Sequence, residues 1–186
     1  MNGQPKDLYA ALGQFVVAFE LLIHEIRSNL LRTVCEPGTM VNLVQPAYAD
    51  LTADPLARIY LATMSQAIEQ SKMAIEDKLE GKKILANIHT RIRNLITERN
   101  EIVHGTWFIG FDFDVTTGFK QTNTKDGTTY KNIERSIADF DAIISNSREL
   151  MTLVNQFHFV LKNGLPLAKH FGWLNSKVLI GVPWRQ

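Results

Sequence analysis

Asp7 to Thr33 reads DLYAALGQFVVAFELLIHEIRSNLLRT, and within it Leu8, Leu12, Phe15, Phe19, Leu22, Ile26 and Leu30 recur at helical spacing with few breakers. The stretch predicts a long first helix. Between Phe15 and Ile23 only Glu20 is charged, so this helix is expected to be covered on more than one side.

Working outward, Glu36-Pro37-Gly38 ends that helix, and the stretch to Thr52 reads as a loop or one short helix. Asp54-Pro55 supplies an N-cap acid and a proline at the first helical position, and Leu56, Ile59, Tyr60, Thr63 and Ala67 continue a second helix to about Glu80. Gly81 suggests a break, after which Ile84, Leu85, Ile88, Ile92, Leu95, Ile96 and Val103 mark a third helix ending near Gly105. From Thr106 the period falls to two: Ile109, Phe111, Phe113 and Val115 alternate with smaller or polar residues, while Thr117-Gly118 and Asp126-Gly127 are turn signals. A small antiparallel hairpin or meander is expected between about Trp107 and Ile133. Ser136-Ile137-Ala138-Asp139 resembles a capping box with Asp in place of Glu, and opens a fourth long helix running to Asn163-Gly164. The tail over 165–186 is apolar, with Phe171, Trp173, Val178, Leu179, Ile180 and Trp184, and should dock on something.

No internal repeat or domain linker is visible. The expected architecture is mainly α: a single domain over residues 1–186, built as a four-helix bundle with a small β insertion before the last long helix.

The formal charge of +1 places no overall demand for nucleic acid, membrane or an acidic partner. Cys35 is the only cysteine, so an intramolecular disulfide is excluded and a reducing cytoplasm fits. Residues 1–7 lack a basic segment followed by an apolar core, and no uncharged apolar run approaches the ~20 residues of a membrane span. A soluble, unexported chain without a membrane partner is expected.

Chemistry concentrates at Arg99-Asn100-Glu101-Ile102-Val103-His104, in the last turns of the third helix. Asn100 and His104 are four residues apart and share a face. Arg99 lies about 140° around the helix from His104 and ~7.5 Å along its axis. One straight helix does not converge all three, so the spacing favours either a loosened helix end at Gly105 or a second copy of the same helix.

This segment, at the end of the third helix of a bundle, resembles the motif of the HEPN superfamily: an arginine, four to six residues, then a histidine, often with a polar residue directly after the arginine. The resemblance covers roughly Asp7 to Gly164; the β insertion and the tail lie outside its common core. It implies a homodimeric, metal-independent endoribonuclease that uses the ribose 2′-hydroxyl as nucleophile and leaves a cyclic phosphate. Arg99, Asn100 and His104 would be catalytic, with Asn100 orienting the phosphate or the imidazole. It also implies a toxin-like or defence-related effector role, with a neutralising protein partner. The chemistry suits the residues: histidine exchanges a proton near neutral pH, and arginine holds phosphate oxygens as charge builds on them. The alternative is a non-catalytic scaffold that binds RNA or protein, with His104 serving only as a helix C-cap before Gly105 and Arg99 as a solvated cation.

Glu20 has two readings. The resemblance implies that an early-helix acid contacts the motif arginine; otherwise Glu20, His24 and Arg27 form a polar stripe. A contact between Glu20 and Arg99 separates them. From Lys78 to Arg99 six cations (Lys78, Lys82, Lys83, Arg91, Arg93 and Arg99) face two acids, Glu80 and Glu98. Lys82, Lys83, Arg91 and Arg93 are thus candidates to track an RNA backbone, although such runs are usually solvated helix faces. His24, His89, His158 and His170 make no pair at the spacing of a helical metal site, and no phosphate-binding glycine loop is present, so neither a metal nor a cofactor is expected. Phe108, Phe111, Phe113 and Tyr130 read as core aromatics rather than base-stacking ones.

Overall fold

A computed structural model describes residues 5–35, 41–108, 116–124 and 127–181. The order is α1 (Pro5–Val34), α2 (Val41–Ala49), α3 (Ala53–Gln70), α4 (Ile75–Val103), β1 (Thr106–Phe108), β2 (Thr116–Thr124), β3 (Gly127–Arg135), α5 (Ile137–Lys162), a 3₁₀ turn (Leu167–Lys169), β4 (Phe171–Leu174) and β5 (Lys177–Ile180). The chain is therefore mainly helical, with four long helices, a short α2 in the stretch that reads as a loop or short helix, and a small antiparallel sheet before α5.

Contacts divide the chain into two compact units, Met1–Leu21 with Asn94–Arg148, and Leu22–Arg93 with Glu149–Gln186. Helices α1, α4 and α5 contribute to both. In the first unit Leu8, Phe15 and Phe19 of α1, Leu95, Ile96 and Ile102 of α4, Ile133 of β3, and Phe140 and Ile144 of α5 are buried. Each such large side chain contributes about 1.5–3 kcal/mol relative to exposure. The sheet has the order β1-β2-β3, with Trp107 opposite Gly118 and Gly118 opposite Ile133. Thr117-Gly118 thus lies inside β2 rather than at a turn, because β2 begins at Thr116. The alternating segment 109–115 and Asp126 lie outside the described residues. At the start of α5 the capping box forms as expected: the Asp139 carboxylate accepts from the Ser136 backbone N–H at 2.8 Å, and Ser136 Oγ accepts from the Asp139 N–H at 3.2 Å.

The second unit is walled by Leu22, Ile26 and Leu30 of α1, Tyr60, Met64 and Ile68 of α3, Ile84, Ile88 and Ile92 of α4, and Val154 and Phe157 of α5, all buried. Here two boundary expectations are corrected. The helix break falls after Gln70, where Ser71 Oγ donates back to the Ile68 carbonyl at 2.7 Å, and Gly81 sits inside α4. Gly81 permits close packing instead: a Cβ there would stand 3.3 Å from Leu167 Cδ1 and 3.5 Å from Ile68 Cδ1. Asp54 is not the N-cap of α3. Thr52 takes that position, and Asp54 forms a first-turn pair with Arg58 at 2.7 Å.

Part of the apolar tail docks as a hairpin. β4 and β5 pair through a two-residue turn at Asn175-Ser176, both with positive φ (48° and 64°), the primed geometry that matches strand twist. Trp173 Nε1 donates to Glu80 Oε1 at 2.6 Å and anchors the hairpin on α4.

By length and composition α1, over Lys6–Val34, could cross a membrane, although 39% of the relevant window is buried within the fold. The expectation that α1 is covered on more than one side is only partly met within the chain. Tyr9, Val17 and Leu21 remain exposed at 60%, 59% and 52%, one stripe at helical spacing with Gly13 between them.

Candidate functional site

The site lies in the first unit, where α4 ends against the β insertion. Arg99 is half-buried. Its Cζ lies 5.9 Å from the centroid of the Phe19 ring, its Nη2 is 3.8 Å from Glu20 Oε1, and its Nη1 donates to Asn100 Oδ1 at 3.4 Å. Glu20 therefore meets Arg99, the contact that separates its two readings, and α1 supplies both the carboxylate and the aromatic face that hold the guanidinium. Arg27, which would have shared a polar stripe with Glu20, turns instead to the carbonyls of Tyr48 and Leu51 at 3.0 and 3.2 Å.

Both polar contacts of Arg99 are long, and its Nε is buried without a partner. A guanidinium carries five N–H donors in a fixed fork, so donors remain for a further anion. Asn100 lies beside it with its amide oxygen turned to Arg99.

His104 follows the last turn of α4. Its backbone N–H donates to the Asn100 carbonyl at 3.3 Å, while its side chain is exposed and, among the described residues, makes no hydrogen bond or ion pair. The structure thus brings Glu20, Arg99 and Asn100 together and leaves the imidazole apart from them.

The chain reversal that carries His104 is tightly built. A Cβ on Gly105 would lie 2.8 Å from the Glu101 carbonyl oxygen, so only glycine fits there without a shift. Trp107 Nε1 donates to the Ile102 carbonyl at 2.6 Å, satisfying one of the acceptors that a helix end leaves free. The same indole packs on Phe140 at 6.5 Å between ring centroids.

Residues missed in the sequence complete the support. Arg135 of β3 reaches Glu98 at 2.7 Å and Glu101 at 3.9 Å, and Lys131 pairs with Glu101. Lys131 and Arg135 flank the buried Ile133 at strand period two, and Glu98 and Glu101 are three apart on α4. Two cations at period two facing two acids at helical spacing is a signal that could have found this brace.

The four candidate RNA-tracking cations belong to the second unit, and three of them are matched by acids. Lys82 pairs with Glu69, Lys83 with Glu80 at 3.4 Å, and Arg91 with Glu149 at 3.4 Å. Lys82 holds the Glu69 carboxyl below the ordinary glutamate range. Lys177 and then Arg91 do the same for Glu149, against the opposing effect of its partial burial. Burial leads the lowering of the His89 pKa, with Arg93 adding to it. Among the described residues no group of three His, Cys, Asp or Glu side chains is placed to hold a metal.

No family model, no curated protein and no solved structure matches this chain.

Proposed function

We propose that this chain is a HEPN-type, metal-independent endoribonuclease that acts in the cytoplasm as a homodimer. The observation that carries the reading is the state of Arg99: held by Glu20 and Phe19, with Asn100 beside it, yet with donors left over, five residues before an exposed histidine. Arg99 binds the scissile phosphate and stabilises charge on its non-bridging oxygens. The His104 of one copy takes the proton of the ribose 2′-hydroxyl, whose oxygen attacks phosphorus. The His104 of the other copy protonates the departing 5′-oxygen, leaving a 2′,3′-cyclic phosphate and a 5′-hydroxyl. Each copy supplies one His104, so two copies supply both proton-transfer roles.

The exposed stripe of Tyr9, Val17 and Leu21 supports dimerisation. Light scattering at micromolar concentration is expected to give a dimer mass; a monomer would contradict it. Purified protein is expected to cut single-stranded RNA in the presence of a chelator. Folded His104→Ala or Arg99→Ala should lose about 10²–10⁴-fold in rate. The scaffold reading draws on the same Glu20 and Phe19 contacts, which would also hold a purely structural arginine; under it, neither variant changes any cleavage, because there is none.

A further inference from the structure

Within the second unit, residues of α1, α3 and α5 line an open pocket of about 390 Å³, within the size range of small-molecule sites. Its lining is asymmetric. Arg32 and Lys162 bring positive charge, Met64, Ala67 and Leu161 bring apolar surface, and no acidic residue among the described ones lines it. Among the described residues no carboxylate pairs with either cation; Arg32 Nη1 donates only to the Asn29 side-chain oxygen, at 3.3 Å.

His158, 7% exposed, forms part of the wall. Thr33 Oγ1 donates to the Asn29 carbonyl at 2.8 Å, so its oxygen is free to accept from His158 Nδ1, 3.2 Å away. That assigns the ring proton to Nδ1 and leaves a lone pair on Nε2, which is buried and has no partner. Burial, with Lys162 and Arg32 adding to it, pushes the His158 pKa down to about 4, so the ring stays neutral and Nε2 stays an acceptor at physiological pH. A buried acceptor without a partner is uncommon in a folded protein and calls for a donor.

We infer that this pocket binds a small organic anion: an acidic head held by Arg32 and Lys162, a flat apolar body against Met64 and Leu161, and one N–H or O–H donor directed at His158. The acidic head can be a carboxylate or a phosphate monoester, which share this recognition. Nothing in the proposal depends on ribonuclease activity.

The test is calorimetric titration of the full chain with 4-hydroxyphenylacetate and with 4-hydroxyphenyl phosphate. Phenylacetate serves as the probe without a donor and 4-hydroxyphenylacetamide as the probe without charge. Saturable binding with a Kd of about 1 mM or tighter is expected for at least one of the two anions, and the tighter one identifies the head group. Loss of the hydroxyl and loss of the charge should each weaken binding about tenfold. In the Arg32→Gln/Lys162→Gln variant the acid and the amide should bind alike. In His158→Phe the hydroxyl should cease to matter; should that variant not fold, the comparison of phenylacetate with 4-hydroxyphenylacetate on the native chain reads the same contact. Failure of both anions to bind saturably overturns the proposal, as does undiminished charge preference in the Arg32→Gln/Lys162→Gln variant.

Discussion

Two arginine–histidine sets in this chain make an instructive contrast. In the second unit Arg91 is 12% exposed and paired with Glu149, and His158 is buried, neutral and bonded to Thr33. In the first unit Arg99 touches its acid only at 3.8 Å, and His104 is exposed with a free imidazole among the described residues. In the first set the charges are matched or removed by burial, and only the neutral acceptor His158 Nε2 is left without a partner. The second keeps cationic donors on Arg99 and an exposed imidazole on His104 that, among the described residues, are not fully met. Residue type alone does not separate the sets, but the unmet donors do.

The contrast can be tested from its buried side first. The His158 pKa is depressed from 6.5 to about 4, so between those values the unfolded chain binds the proton and the native chain does not. Stability should therefore be full above pH 6.5 and fall as the pH drops toward 4, by up to about 3 kcal/mol. Urea midpoints measured from pH 7 to 4 should show that slope, flattened in His158→Gln. An equal slope in the variant would mean that the ring is not buried.

A smaller effect is expected where the open side is braced. Gly105→Ala forces a Cβ against the Glu101 carbonyl and should cost about 1–3 kcal/mol in urea unfolding, with cleavage falling as His104 shifts. Glu20→Gln should change stability by less than about 0.5 kcal/mol, since the Glu20 carboxylate is 55% exposed, while slowing cleavage a few-fold through looser placement of Arg99. The smallest effect belongs to Lys82→Gln/Lys83→Gln. With both lysines already paired to acids, RNA affinity and its salt slope should stay near wild type. A slope lowered by about two would restore these lysines as phosphate contacts.

Much of the helical framework was legible because burial at a 3.6-residue period is written locally. Phe15, Phe19, Leu22 and Ile26 fall on the buried side of α1, and Ser136 with Asp139 marks the start of α5. What was not legible depended on partners distant in sequence. The charge run from Lys78 to Arg99 reads as a positive track until Glu69 and Glu149 are found beside it. Gly81 reads as a breaker because a glycine needed for close approach to Leu167 and Ile68 looks the same as one needed for a turn. The hairpin in the tail has four-residue strands, too short to show a period, and its turn uses Asn175-Ser176 with no glycine to announce it. At the site, the sequence presented Arg99, Asn100, His104 and Glu20. It did not show Phe19 beneath the guanidinium, or the brace from Lys131 and Arg135.

The most direct test of the central claim compares an all-ribose RNA with the same strand carrying a 2′-deoxyribose at the cleaved position, both in chelator, using wild type and His104→Ala. The account predicts cyclic-phosphate ends from the first strand, no cut at the deoxy position in the second, and loss of cleavage in the folded variant. Cleavage of the deoxy strand at that position, or wild-type cleavage by folded His104→Ala, would contradict it.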